Sequence, residues 1–284
     1  MHFRTFVRNF WKLYKRNVAA VVGLGVFAAI VLLAILAPYI APYPPLRTRT
    51  GPSYLPPELL HLMGTDDLGR DILSGVLQGA RTSLMVGFLA VATSASIGLM
   101  IGILSGFYGG KIDLILSRVM ELFMVIPRFM LGIVLVAIFG ATIWNVVAVI
   151  GFLMWPEVAR VVRSEYLTMK EWLFTEAARA DGASNWTLMF SEILPNVVSA
   201  IVIITTLQIG NAILLEAGLS FIGAGDPNVP SWGMMLENAQ AIFQRAWWTM
   251  VFPGLFLSAT VLSFNLMGDG LNDALNPRLK ISMS

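Results

Sequence analysis

Hydrophobic positions in this chain fall in long uninterrupted runs, not in the alternating or three-to-four-residue stripes of a soluble fold. A helix that crosses the hydrocarbon core of a bilayer takes roughly 20 mostly apolar residues, and only helices or closed barrels satisfy their backbone groups there. Six stretches qualify. The first runs from about 18 to 40, and the second lies in the charge-free run between Arg81 and Lys111. A turn signal, "GATIWN" at 140 to 145, divides the next run into a third helix at about 114 to 139 and a fourth at about 144 to 162. Uncharged runs from Ile193 to Leu215 and from Ala246 to Gly268 supply the fifth and sixth. The pattern predicts an all-α polytopic membrane protein with six transmembrane helices, both termini on one side.

Seven of the 14 prolines fall between Pro38 and Pro57, a density that excludes helix and predicts an extended external loop. The next stretch, "GTDDLGRDILSGVLQGARTSL", offers Asp66 and Asp67 as helix caps and sets Ile72, Leu73, Val76 and Leu77 on one face. It is expected to lie along the outer surface. No internal repeat is present. The division is then 1–80 (basic N-terminus, first span, Pro-rich loop), 81–273 (five-helix body) and 274–284 (C-terminal tail).

With 57% hydrophobic and 13% charged residues, the charged fraction is about half that of an ordinary soluble domain. The net charge of +2 is spread along membrane flanks, which argues against a nucleic-acid surface. The basic start "MHFRTFVRNFWKLYKRN" resembles a signal n-region, but the apolar run behind it is too long and lacks a cleavage site, so it reads as a retained anchor. With the N-terminus inside, thirteen Lys and Arg fall on cytoplasmic segments and five (Arg47, Arg49, Arg70, Arg81, Arg245) on outer ones. That asymmetry puts both termini, and the polar stretch 163–195, in the cytoplasm. The absence of cysteine excludes disulfides and thiolate sites.

No catalytic engine is evident. "SGFYGGKI" at 105 to 112 has Ser105 and Ile112 where a phosphate loop needs Gly and Ser or Thr, so it reads as a turn between spans. Only His2 and His61 occur, which leaves no material for a histidine metal site or a serine-histidine hydrolase. Met124, Met130 and Met154 read as packing. Trp232, Trp247 and Trp248 read as an interface belt.

Ionisable residues within spans are costly and face a cavity or a partner helix. Arg128 follows Pro127 near the middle of span three, with Glu121 seven residues earlier on the same face; Glu157 lies in span four, Glu216 near the outer end of span five, and Asn211 is an uncharged polar residue within it. These are the candidate substrate-path residues. The structural alternative pairs Glu121 with Arg118 or Arg128, pairs Glu157 with Arg160, and has Glu216 stabilise the outer gate.

Between Arg163 and Pro195 the chain can form two short helices. "EWLFTEAARAD" ends at Gly182, and "SNWTLMFSEIL" opens on Ser184 or Asn185 and stops at Pro195. Physics leaves an amphipathic connector and a docking element both open. The order Glu176-Ala177-Ala178, three residues, Gly182, then Leu194-Pro195 resembles the EAA loop of ABC-importer permeases, E-A-A-x3-G-x9-I-x-L-P, with Glu192 standing where the pattern has Ile. "GTDDLGRDILSGVLQGARTSL", "EAGLSFIGAGDPNVPSWGMML" and "FPGLFLSATVLSFNLMGDGLNDALNPRLK" resemble the dipeptide, oligopeptide and nickel subfamily, in particular its six-span subunit with a short N-terminal region.

The resemblance implies a type I ABC importer permease fold with a cytoplasmic coupling helix and, as the alternative to a tryptophan belt, an outer loop folded back toward the pore. It also implies a homologous second permease, two cytoplasmic ATPases that hold ATP and Mg, an extracytoplasmic substrate-binding protein, and no cofactor on this chain. Glu176, Ala177, Ala178, Arg179, Asp181, Gly182, Leu194 and Pro195 would form the ATPase-coupling surface. Cargo would be di- or oligopeptides, with nickel chelates and oligosaccharides also within the subfamily's range. Two alternatives remain: a proton-coupled secondary transporter using Glu121, Glu157 and Glu216, and a membrane scaffold without transport. The first predicts inverted repeats and gives the hairpin no use; the second predicts a protein that purifies alone with no ATPase bound.

Overall fold

The structure is a computed structural model that describes residue 8 and residues 10–275. His2, Arg4, Arg278, Lys280 and most of the 274–284 tail lie outside the described residues. Helix α1 spans Val18–Ile40, and Asn17 caps it by accepting from the Ala20 N–H. Helix α2 spans Ile72–Tyr108; Asp71 accepts from the Ser74 N–H at its start. Then come α3 (Gly110–Val125), α4 (Arg128–Phe139), α5 (Ile143–Met169), α6 (Leu173–Ala180), α7 (Asn185–Thr187) and α8 (Leu194–Leu219). A wide π-type turn over Leu188–Ile193 joins α7 to α8, another over Ser220–Ala224 follows α8, and α9 (Trp232–Ala239) and α10 (Trp248–Leu275) complete the chain. Among the described residues there is no strand.

Five helices are long and apolar enough to cross a membrane, and six spans result if α3 and α4, bent by 88°, are one broken span. Pro127 causes the break: the residue before a proline is pushed out of the helical region, and Ile126 sits at φ −76°, ψ 128°.

The stretch expected along the outer surface is instead the first part of α2, which continues unbroken across residues 80 and 81. At 37 residues, α2 is about 55 Å long, enough to cross the hydrocarbon core and overhang it. Its overhang is buried, not surface-lying, because Ile72, Val76 and Leu77 are covered by α9, α10 and the 41–71 loop.

The core is organised by α2 and α5, which run side by side in the same direction. Gly98, Gly102 and Gly106, spaced four apart, form a bare stripe on α2. A Cβ added to them would lie 2.7 Å from Val158 Cβ, 2.6 Å from the Ala159 carbonyl and 2.6 Å from Tyr166 Cβ. Small residues at this spacing let two membrane helices meet backbone to backbone. At one end of the stripe Arg163 of α5 forks onto Asp113 of α3, at 2.5 and 2.7 Å, while Ser105 of α2 donates to the same carboxylate. Helix α8 packs against both α2 and α5, with Gly87 of α2 accommodating Ile213, and α1 and α10 pack together through Gly23 and Gly270.

Gly102→Val would drive two methyl groups into the α5 backbone, at a cost of about 1–3 kcal/mol or more. The thermal midpoint of the detergent-solubilised protein, followed by size-exclusion chromatography, should fall clearly. Gly25→Ala, at a helical site with nothing within 4 Å of the new methyl, should leave it unchanged.

Candidate functional site

The hairpin between α5 and α8 is a rigid projection. Helix α6 ends in a Schellman arrangement: Gly182, at φ 86°, donates to the Arg179 carbonyl and Ala183 to the Ala178 carbonyl. The Ser184 hydroxyl accepts from the Thr187 N–H, so the second helix starts at the expected cap. It does not stop at Pro195. Proline has no N–H to donate and is tolerated in a first turn, and the preceding turn widens so that the Leu194 N–H reaches back to the Met189 carbonyl. Glu192 consequently sits part-exposed on the rim, and Ile193 is the residue wholly inside.

Two buried hydroxyls fasten this unit to the bundle. Tyr166 Oη donates to the Met189 carbonyl at 2.9 Å, and Thr175 Oγ1 donates to the Met169 carbonyl at 2.9 Å. Neither residue belongs to a recognisable motif. Outward, the hairpin presents Glu176, Ala177, Arg179, Asp181 and Gly182, with Ala178 part-buried beneath them. Leu173 and Trp186 flank that strip at 83% and 69% exposure. Leu194 is part-buried and Pro195 exposed at the hairpin's return.

A polar junction lies halfway along the bundle. Arg128, the first residue of α4, donates through Nη2 to Glu157 Oε1 of α5 at 2.6 Å. Gln208 of α8 donates through Nε2 to the other carboxylate oxygen at 3.2 Å and to the Met154 carbonyl at 3.1 Å, and Ser94 of α2 donates to Gln208 Oε1 at 3.2 Å. Four helices thus meet in one hydrogen-bonded chain. Glu157 pairs with Arg128 rather than with Arg160, because the 88° break swings Arg128 toward α5. The same break undoes the shared face of Glu121 and Arg128: Glu121 pairs with Arg118 at 2.6 Å near the surface, away from the junction. Asn211 is exposed on α8, one turn from Gln208. Gln208, a wholly buried amide, is missed by sequence reasoning in favour of Asn211; its signal in the sequence is an amide at membrane depth in a largely apolar run.

Glu216 is a third kind of site. It is fully buried, and its Oε1 accepts from Ser220 and Ser231, both at 2.8 Å, while Oε2 has no hydrogen-bond partner. Through Ser231, which also caps α9, it ties the loop helix to the end of α8. This loop folds back onto the bundle, so two of the three tryptophans expected at the lipid interface are interior. Trp232 Nε1 donates to the Val76 carbonyl and Trp248 Nε1 to the Thr65 carbonyl, each at 3.0 Å; Trp247 alone is half exposed. A buried indole N–H needs a hydrogen-bond partner, and these two carbonyls supply it.

One broken span, an ion pair set between spans and a docked loop helix define a polytopic membrane protein of packed helices. Residues 98–281 match the model of the binding-protein-dependent transport system inner membrane component, and residues 5–57 that of the N-terminal TM domain of oligopeptide transport permease C. The chain belongs to this family of ABC importer permeases. It is 41% identical over 283 residues to the dipeptide transport system permease protein DppC of Escherichia coli K12, covering 97% of this chain and 94% of that one. It is 39% identical to the DppC of Alkalihalophilus pseudofirmus (96% and 90% covered) and 40% identical to the glutathione transport system permease protein GsiD of Pectobacterium atrosepticum (98% and 93% covered). Its fold is shared with a chain of the MetNI methionine ABC transporter in an inward-facing conformation, at TM-score 0.60 and 20% identity over 71% of this chain and 96% of that chain.

Tyr166→Phe removes one buried donor from the hairpin's anchor, at about 1 kcal/mol. Hydrogen exchange should quicken over residues 173–190 and stay unchanged in the middle of α2 and α5.

Proposed function

We propose that this permease works as one half of a heterodimer with a homologous second permease, powered by two cytoplasmic ATPases and supplied by an extracytoplasmic binding protein. The hairpin end of the bundle faces the cytoplasm, as do both termini. ATP and Mg bind the partner ATPases, and this chain contributes no catalytic group. Its cargo is a short peptide, in keeping with relatives named for dipeptides and glutathione. Family membership sets aside the proton-coupled and scaffold alternatives.

The observation that carries the coupling role is the hairpin's construction. A helix of eight residues is marginal alone. Here it is fixed at both ends by buried hydroxyls and a Schellman turn, yet its outward strip is small and charged between two exposed apolar residues, Leu173 and Trp186. Rigid, thin and apolar-edged surfaces suit insertion into a cleft. Closure of the ATPases around ATP then pulls this hairpin and its counterpart together. Helix α8 runs on from the hairpin's second helix through the π-type turn, and only a three-residue turn at 170–172 separates α6 from α5, so the displacement reaches the spans with little loss in a linker.

Affinity purification in mild detergent should bring down two ATPases and a second permease, with vanadate-sensitive ATP hydrolysis raised by peptide-loaded binding protein. Glu176→Lys reverses a charge on the exposed strip, and Gly182→Pro cannot adopt φ 86°. Both should insert normally and cut loaded-binding-protein stimulation and uptake by about tenfold or more. Normal uptake in both would reject the docking role.

A further inference from the structure

Neither member of the Arg128–Glu157 pair is enclosed: the side chains keep 29% and 26% of their exposure. Glu157 lies near the middle of the 27-residue α5. Charge left open at that depth does not face lipid, where it would cost several kcal/mol. Its open side borders a water-filled path or another protein helix.

The bonding of the pair is uneven. Glu157 is held from behind: Gln208 donates to Oε2 and is itself fixed by Ser94 and the Met154 carbonyl. Arg128 is held by a single bond from Nη2, leaving most of its five N–H groups without a partner among the described residues. A guanidinium meant only to brace two helices gains most from a bidentate fork, as Arg163 makes on Asp113 in this same molecule. Arg128 instead keeps donors in reserve, beside a carboxylate that cannot turn away.

The geometry points to a mid-membrane site for the charged termini of a peptide in transit: the spare N–H groups of Arg128 take its carboxylate and Glu157 takes its ammonium. This rests on the peptide-import reading above. A zwitterion entering the bundle loses hydration from both ends. The resident pair opens, and each member takes the opposite charge of the solute, so one ion pair is exchanged for two and no charge is left bare. A solute lacking one terminal charge would leave Arg128 or Glu157 unpaired and pass more slowly. The site therefore discriminates by charge at both ends and leaves the side chains of the peptide unread.

The test uses the complete reconstituted complex in proteoliposomes, with saturating binding protein, and measures peptide taken up per ATP hydrolysed. The probes are a free dipeptide, its C-terminal amide and its N-acetyl form. Because the binding protein is the same in every arm, its own preference cancels in the ratio of variant to wild type. Arg128→Gln should lower uptake of the free dipeptide about tenfold and that of the amide less than twofold. Glu157→Gln, which keeps an acceptor for Gln208, should do the same for the free dipeptide against the N-acetyl form. Equal losses for all three peptides, or no losses, would overturn the proposal. If Arg128→Gln does not assemble, Glu157→Gln decides alone; if neither assembles, the pair is a brace of the fold and the proposal fails. Failure of the import reading looks different: the wild-type complex would take up none of the peptides on ATP addition.

Discussion

The backbone contact between α2 and α5 governs the arrangement of everything else. Gly98, Gly102 and Gly106 bring the two helices so close that no methyl group fits between them. Without a hydrophobic drive between helices in lipid, dispersion over such a dry, close seam is the principal attraction available. Once α5 lies on α2, the depth of Glu157 relative to Ser94 is set, and α8, packed against both helices, delivers Gln208 between them. Arg163 and Asp113 then lock the first turn of α3 to the same pair. Each polar link is modest; the seam makes them simultaneous.

Helix α5 consequently acts as a shared strut. Along one helix it carries Glu157 of the polar junction, Arg163 of the α3 lock and Tyr166 of the hairpin anchor. A displacement of the hairpin that shifts α5 against α2 must slide the glycine seam, and that moves Glu157 relative to Ser94 and Arg128. On its α2 side the seam has no side chains to bend, so it resists continuous deformation and favours discrete positions. The end of the bundle away from the hairpin is tied separately, with Glu216 joining α8 to α9 through Ser231, and Trp232 joining α9 to α2.

The apolar runs made the spans legible, because bilayer thickness imposes a length that composition alone reveals. The hairpin was legible for a different reason. Gly182 and Ser184 are caps, and cap chemistry is local; the π-type turn ahead of Pro195 was hidden because a proline at the end of an apolar run looks like a stop when it can equally be an entry. Trp232 and Trp248 were misleading since a tryptophan serves headgroups and a buried carbonyl equally well, and only the fold decides which it meets. The glycine stripe was present in the letters at four-residue spacing, but its partner, Val158 to Tyr166, is far along the chain. Long-range pairing of that kind, like that of Arg128 with Glu157, depends on angles between helices that no local pattern contains.

Pro127 links these points. A continuous third span would have kept Arg128 on the face of Glu121, two turns away, where the two could have neutralised each other with no need of α5. The proline forces Ile126 out of the helix and turns the chain by 88°, and Glu121 is left to Arg118 near the surface. The price of the break is a cation at mid-depth with an uncapped helix start behind it, since no side chain caps α4. Glu157 offsets that charge only because α5 stands where the glycine seam holds it. The charge at the centre of the bundle and the bare stripe on α2 are thus one design: the first is tolerable only where the second has already fixed its counter-ion.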